Sequence, residues 1–208
     1  MPSTPLRLVV AAAAGSSMWL AFPPVSLAVA GPLGVALFLA AVLPYRGVAL
    51  RARSAALVGM VAGLAFFVPL LSWLAAIGID AWLALAAVEA VFLAALAIAV
   101  GRVSHLPGWW AWTACLWVAE EALRSRVPFG GFSWGRLAFA QPGGPWGRYA
   151  ALGGAPVVSL VVAVLGALVV VMVRAAWAIR AGGRRSAVRR GLGALLGVAA
   201  LTGLGFAV

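Results

Sequence analysis

Seven apolar runs follow one another along this chain, and they constrain its fold more than any other feature of the sequence. The runs cover approximately residues 8–22, 26–43, 55–77, 81–101, 107–124, 156–173 and 192–208. An apolar segment of about 20 residues can cross a bilayer as a helix, and inside lipid such a segment must satisfy its own backbone hydrogen bonds. We therefore predict an all-α integral membrane protein with one transmembrane domain, 1–208, built as a bundle of about seven helices.

The basic residues are placed as in a membrane protein. The chain is 65% hydrophobic and only 9% charged, its net charge is +11, and all 15 basic residues are arginines. These arginines lie in short connectors between apolar runs, which is the placement described by the positive-inside rule. A nucleic-acid-binding protein would instead carry a basic face on a soluble domain, so we expect no nucleic acid partner.

The arginine distribution also predicts the orientation. Eleven fall on the side of the N-terminus and four on the other side. The four are Arg124, Arg126, Arg136 and Arg148. Cytosolic connectors carry the excess of arginine, so the N-terminus is predicted to be cytoplasmic. With seven spans, the C-terminus and an outer loop, 125–153, would lie outside.

One cysteine and one histidine limit the chemistry of the chain. Cys115 can form neither an intramolecular disulfide nor a multi-cysteine metal site, and no histidine lies near it in sequence to act as a base. His105 falls in a short connector and is expected to be solvated. We expect no metal, no cofactor and no catalytic residue within the chain itself.

The segment from Trp117 to Gln141 concentrates the polar residues. It holds two of the four carboxylates and three arginines. Glu121 and Arg124 are three residues apart, so they share a helix face and can pair. Pro128 then ends the helix, and the outer loop that follows is rich in glycine, proline and aromatic residues. This pattern indicates a polar site at the membrane boundary. An ordinary helix end with interfacial anchors is the alternative.

Glu89 lies near the middle of the fourth apolar run. A carboxylate at the bilayer centre costs on the order of 3 kcal/mol, so this side chain is expected to face the bundle or a wet cavity. It is either a functional residue or a protonated acid that hydrogen-bonds a neighbouring helix.

The run WVAEEALRSRVPFGGFSWGRLAFAQ resembles the membrane-domain signature of bacterial apolipoprotein N-acyltransferases, roughly W-V-x-x-E-x-L-R, a spacer and G-F-P-W-x-x-x-G-Y-x-Q. The matching residues are Trp117, Glu121, Leu123, Arg124, Gly131, Phe132, Trp134 and Gln141. Ser133 replaces the usual proline, while Ala138 and Phe139 replace the glycine and tyrosine. Residues 20–24, LAFPP, resemble the family's turn after the first helix. The likeness extends over nearly the whole chain and is closest to the actinobacterial type.

The resemblance implies lipoprotein N-acylation in a bacterial plasma membrane. Members move an acyl chain from a phospholipid donor to the amino terminus of a diacylglyceryl-cysteine lipoprotein acceptor, through a cysteine thioester. A Glu-Lys-Cys triad on a nitrilase-like domain performs the reaction, and that domain follows the seventh helix. This sequence contains no lysine and ends where the domain should begin, so we expect the chain alone to be inactive.

The resemblance implies that the chain supplies the membrane half of such an enzyme, and we expect six residues to form its lipid-binding site. Glu121 and Arg124 are expected to hold the shape of the loop, and Phe132 and Trp134 to touch acyl chains or gate a lateral cleft. Gly131 and Glu89 complete the expected substrate-binding set. For Trp134, a plain interfacial anchor is the alternative.

Two other functions compete with the acyltransferase interpretation. Actinobacterial relatives are associated with polyprenol-phosphate mannose synthases, so the chain could be a non-catalytic membrane anchor for such a glycosyltransferase. The partner would dock at the basic connector, the arginine-rich segment from Arg174 to Arg190. A small transporter is favoured only by Glu89, and the sequence has no repeat of two halves, which weakens that hypothesis.

Overall fold

The computed structural model describes residues 4–45, 47–182 and 184–207. These residues form seven α-helices: α1 Thr4–Leu20, α2 Ala30–Val42, α3 Ala52–Leu70, α4 Ile79–Val103, α5 Trp109–Arg124, α6 Ala150–Arg180 and α7 Arg184–Ala207. Three short 3-10 helices, Ser72–Ala76, Leu137–Ala140 and Gly147–Tyr149, lie in the connectors. The described residues contain no β-strand, so the all-α prediction is confirmed, and no nitrilase-like domain is among them.

Four helical segments are long and apolar enough to cross a membrane: Ala52–Leu70, Ile79–Val103, Gly147–Arg180 and Arg185–Ala207. The other three helices are shorter, with 17 residues in α1, 13 in α2 and 16 in α5. These lengths fall below the roughly 20 residues that a perpendicular span needs.

Several helix bounds differ from the sequence prediction. The third run is predicted to continue to residue 77, whereas α3 ends at Leu70, immediately after Pro69, and gives way to a 3-10 helix. In addition, α2 begins at Ala30 and not at 26, and α6 begins at Ala150 and not at 156. The loop between α5 and α6 therefore comprises 125–149. Gly153 and Gly154 kink α6, which lets helical hydrogen bonding start before Pro156.

Much of the basic connector is also helical. The sequence predicts that the sixth span ends at 173 and the seventh begins at 192, yet α6 continues to Arg180 and α7 begins at Arg184. Arginine is a good helix former, so the arginines themselves do not separate α6 from α7, and a different residue type must end α6. Gly182 ends it, with a φ of +92° of the kind that commonly follows a helix C-terminus.

Two glycines on α3 allow α4 to approach closely. A Cβ atom added at Gly59 would lie 2.3 Å from the Leu93 carbonyl oxygen, and one at Gly63 would lie 2.6 Å from the Ala90 Cα. Only glycine at these two positions allows the two helices to lie this close together. Small residues drive such contacts in membranes because association there depends on van der Waals packing.

Arginine side chains join several helix termini at one end of the bundle. Arg7 donates to the Ala41 carbonyl over 2.6 Å, and Arg174 donates to the Pro44 carbonyl over 3.0 Å. The start of α1 therefore lies beside the ends of α2 and α6. We call this the basic end.

The opposite end carries the loop 125–149. Here Arg148 donates to the Phe206 carbonyl over 3.2 Å, and the Tyr149 hydroxyl donates to the Leu201 carbonyl over 2.7 Å. The last residues of α7 therefore lie beside this loop. We call this the loop end.

Candidate functional site

Arg124, at the C-terminus of α5, is the centre of the polar cluster at the loop end. Its side chain is 1% exposed. Nη1 lies 2.9 Å from Glu89 Oε2 on α4, and Nε lies 3.0 Å from Glu120 Oε1 one turn earlier on α5. The guanidinium also lies 5.2 Å from the centre of the Phe67 ring on α3. One arginine thus compensates two buried carboxylates and joins three helices.

The same guanidinium binds the backbone of the loop. Arg124 donates to the carbonyl oxygens of Trp134, at 2.6 Å, and Phe132, at 3.4 Å. The Phe132 amide in turn donates to the Arg124 carbonyl over 2.9 Å. The loop therefore lies against Glu89, ten residues inside α4. Irregular backbone is tolerated at such depth only where it is enclosed by protein, and Arg124 supplies the donors that it needs.

The predicted pairing of Arg124 with Glu121 is wrong. Arg124 pairs with Glu120 and Glu89, whereas Glu121 accepts a hydrogen bond from the Leu137 amide over 2.8 Å. The physical reason is the direction of the two faces of α5. Glu120 faces α4, while Glu121 faces the loop near α6, where Ser159 accepts from the Ala138 amide over 3.2 Å.

Gly131 permits the turn that brings the loop back into the bundle. Its φ is +78°, and an added Cβ would lie 2.1 Å from backbone atoms of Ser125 and Arg126. No other residue type fits this position without moving the end of α5. Further along, the buried Gln141 donates to the Ala28 carbonyl over 3.1 Å, which ties the loop to the connector before α2.

A cleft of about 320 Å³ opens beside this cluster, between α4 and the start of the loop. We call it the Glu89 cleft. Its lining residues are Ala84, Leu85, Val88, Glu89, Pro128, Phe129, Gly131 and Phe132. The lining is apolar except for Glu89, which is itself 1% exposed. The Phe129 ring, by contrast, is fully exposed at the mouth. The arrangement can hold an apolar chain and offers little to a polar ligand.

The six predicted site residues therefore fall into two groups. Glu89, Gly131 and Phe132 line the cleft. Glu121 and Arg124 are buried beneath the loop, and the Trp134 ring is about half exposed and does not line the cleft. The contact with Arg124 favours a structural role for Glu89, as the partner of a residue on a neighbouring helix. The contact is an ion pair, whereas the sequence predicts a protonated acid in that structural role.

Three residues were missed by sequence reasoning. Glu120 could have been found, because it lies four residues before Arg124 and shares its helix face. Phe67 and Phe129 carry no local signal, since one is an aromatic residue in an apolar helix and the other follows a proline in a loop. Among the described residues, no cluster of three or more His, Cys, Asp or Glu side chains could hold a metal ion.

The fold and the site define a class: a multi-helix membrane domain in which a buried arginine and its carboxylates hold an aromatic loop beside an apolar cleft. The chain matches the model of the apolipoprotein N-acyltransferase N-terminal domain over residues 14–168. It is also 40% identical over 160 residues to the apolipoprotein N-acyltransferase of Mycolicibacterium smegmatis (strain ATCC 700084 / mc(2)155). The chain therefore belongs to the apolipoprotein N-acyltransferase N-terminal domain family, and its membrane domain is of the actinobacterial type. The match covers 76% of this chain and 26% of the relative, so the chain spans about a quarter of that protein's length.

Proposed function

We propose that this chain is the membrane domain of an apolipoprotein N-acyltransferase of the bacterial plasma membrane. In the proposed reaction, a phospholipid supplies the acyl chain and the N-terminal amine of a diacylglyceryl-cysteine lipoprotein receives it. The family match and the relative's name support the proposal. Residues 1–208 include no lysine and one cysteine, so we assign them lipid binding and no step of the thioester chemistry.

The single observation that carries the proposal is the apolar Glu89 cleft at the loop end. Its volume of about 320 Å³ lies at the lower limit of ligand pockets, about 300–1,000 Å³, which suits a narrow acyl chain. The mouth lies between α4 and Phe129, so a lipid chain could enter laterally from the bilayer. We propose that Phe132 contacts this chain and that Gly131 keeps its path open.

The buried charges have a positioning role in this proposal. Arg124 binds the loop backbone on either side of Ser133, and Glu89 and Glu120 keep the guanidinium in place. Glu121 holds the next segment of the loop through Leu137. We propose that Trp134, half exposed beside them, gates the cleft or anchors the loop in the interface, where amphipathic rings are favoured.

A membrane anchor for a polyprenol-phosphate mannose synthase is the second candidate. The observation in its favour is the set of exposed arginines at the basic end, including Arg180, Arg185 and Arg189. Such an anchor would not use the Glu89 cleft, which lies at the other end of the bundle. An experiment on the cleft therefore distinguishes the two functions.

The test uses a chimera in which this chain replaces the matched 160 residues of the M. smegmatis relative. Acyl transfer from phospholipid to a diacylglyceryl lipoprotein is measured in membranes. Ala84→Trp places an indole in the cleft, and Ala87→Trp is the matched control, because Ala87 is exposed on the same helix and does not line the cleft. Displacing a substrate by about 1 Å can cost on the order of 10²-fold in rate, so we expect Ala84→Trp to lower transfer at least ~10-fold.

The Ala87→Trp chimera should transfer at nearly the unmodified rate and reach the same abundance in the membrane. Equal rates for the two variants would reject the cleft as the acyl site. A chimera that is abundant but transfers no acyl chain even without substitutions would reject the acyltransferase assignment and leave the anchor.

A further inference from the structure

A second groove lies between α2 and α6, at the end of the bundle opposite to the Glu89 cleft. Its volume is about 900 Å³. Its walls are aliphatic. Leu33, Leu37 and Ala40 come from one face of α2, and Val169 and Val173 come from α6. This volume is near the upper limit of the range for ligand pockets, about 300–1,000 Å³. None of its lining residues belongs to the Glu89 cleft.

The dimensions of the groove match one leaflet of a bilayer. Leu33 and Leu43 both line it. They are ten residues apart, which corresponds to ~15 Å along a helix at a rise of 1.5 Å per residue. The hydrocarbon core of a bilayer is about 30 Å thick, so the groove spans half of it. The side chains of Leu33 and Val173 are each 51% exposed, so the groove opens sideways toward lipid.

Arg174 and Trp177 line the groove at its basic end. Arg174 is exposed, but two contacts fix its position: the hydrogen bond to the Pro44 carbonyl, and the Trp109 ring centre 5.7 Å from its guanidinium. The arginine is therefore held at the rim. Trp177, one turn further along α6, is 62% exposed and adds an amphipathic ring at the depth where headgroups lie.

No carboxylate side chain is available to neutralise this end. The chain has four acidic residues in total. Asp80 lies in the first turn of α4, Glu89 lies deeper in that helix, and Glu120 and Glu121 lie within the last five residues of α5. All four therefore belong to the loop end or the bundle interior. The positive charge at the basic end is therefore not compensated by any of these carboxylates.

We propose that this groove is a binding site for an anionic phospholipid of the leaflet at the basic end. The acyl chain lies between α2 and α6, and the headgroup phosphate accepts hydrogen bonds from Arg174, whose planar guanidinium suits phosphate oxygens. The neighbouring arginines of α6 and α7 favour headgroups with a net negative charge over zwitterionic ones. The site is separate from the proposed acyl-donor cleft and does not depend on transfer activity.

Native mass spectrometry of the purified full chain tests the site. The protein is titrated in detergent with phosphatidylglycerol and, separately, with phosphatidylcholine, and the bound fraction is measured. Ala40→Trp fills the groove at an exposed position, and Ala95→Trp, exposed on α4 and outside the groove, is its control. Arg174→Gln removes the rim charge, and Arg180→Gln, exposed on the same helix and outside the groove, is its control.

We expect phosphatidylglycerol to bind in preference to phosphatidylcholine. Ala40→Trp should abolish that binding, and Arg174→Gln should weaken it about five-fold, the effect of losing one basic residue near an anionic headgroup. Ala95→Trp should bind like the unmodified chain, and Arg180→Gln should weaken binding less than Arg174→Gln does, because Arg180 does not line the groove. The proposal is overturned if either groove variant behaves like its control, or if the two lipids bind equally. It is also overturned if the unmodified chain forms a dimer that Ala40→Trp dissociates, since a second copy would then occupy the groove.

Discussion

At the residue scale, the stability of the loop end depends on Arg124. Its guanidinium compensates Glu89 and Glu120 and supplies donors to two loop carbonyls. A buried ion pair adds little stability relative to an apolar pair of the same shape, but removal of one partner leaves an uncompensated buried charge. The arginine is therefore essential chiefly because its two carboxylates are present.

We predict that Arg124→Gln lowers the free energy of unfolding by about 3–5 kcal/mol, the cost of breaking a buried pair. Thermal unfolding of the purified protein in detergent measures the effect. Arg126→Gln is the control, because Arg126 is exposed at the start of the loop and its side chain donates to the Ala122 carbonyl of α5, so its change should stay within about 0.5 kcal/mol. Adding Glu89→Gln to Arg124→Gln should recover part of the loss. Equal unfolding temperatures for the two single variants would contradict the assigned role.

At the element scale, the α3–α4 contact determines where Glu89 is presented. Gly59 and Gly63 bring the two helices together along the part of α4 that includes Ala90. Glu89 immediately precedes Ala90 on α4, so this contact sets how the carboxylate meets Arg124. Close packing of this kind is sensitive to a single methyl group because protein interiors contain few voids.

We predict that Gly63→Ala destabilises the bundle by about 1–3 kcal/mol, the usual cost of inserting a methyl group into a filled contact. Gly101→Ala is the matched control on α4, since a Cβ at Gly101 meets no atom within 4 Å. Alanine is the better helix former by about 0.8–1.0 kcal/mol, so the control should be neutral or slightly stabilising. Denaturation of both proteins in the same detergent compares them. A Gly63→Ala protein as stable as the control would mean that α3 and α4 are not in close contact at this point.

At the scale of the whole molecule, the two ends of the bundle differ in charge. The sequence places eleven arginines toward one side and four toward the other, and one of those four, Arg124, is buried inside the protein. Arg7, one of the eleven, is buried as well, so among the described residues the excess of arginine stays at the basic end. We propose on this basis that the basic end is cytosolic and that the loop end, with the end of α7, faces outward.

We predict that cysteine labelling will reveal this orientation. In a Cys115→Ser background, which leaves no other cysteine, Ser133→Cys at the loop end should react with a membrane-impermeant maleimide in intact cells. Ser186→Cys at the basic end should react only after the membrane is permeabilised. Both serines are exposed, so the side of the membrane on which each one lies decides whether the maleimide reaches it. Labelling of Ser186→Cys in intact cells would reverse the orientation, and the outer position of the Glu89 cleft would be lost with it.

The sequence by itself determined the class of protein, the all-α fold and the family signature around Glu121 and Arg124. These properties depend on local composition and on spacings of three or four residues, which follow from helix geometry. The predicted helix bounds were less accurate. Gly153, Gly154 and Gly182 bend or end helices through their backbone angles, and residue type alone does not specify those angles. Only the tertiary structure decided that Arg124 pairs with Glu89, 35 residues away, and that α2 and α6 leave a groove between them. Such contacts depend on how whole helices pack, and no spacing within one helix encodes them.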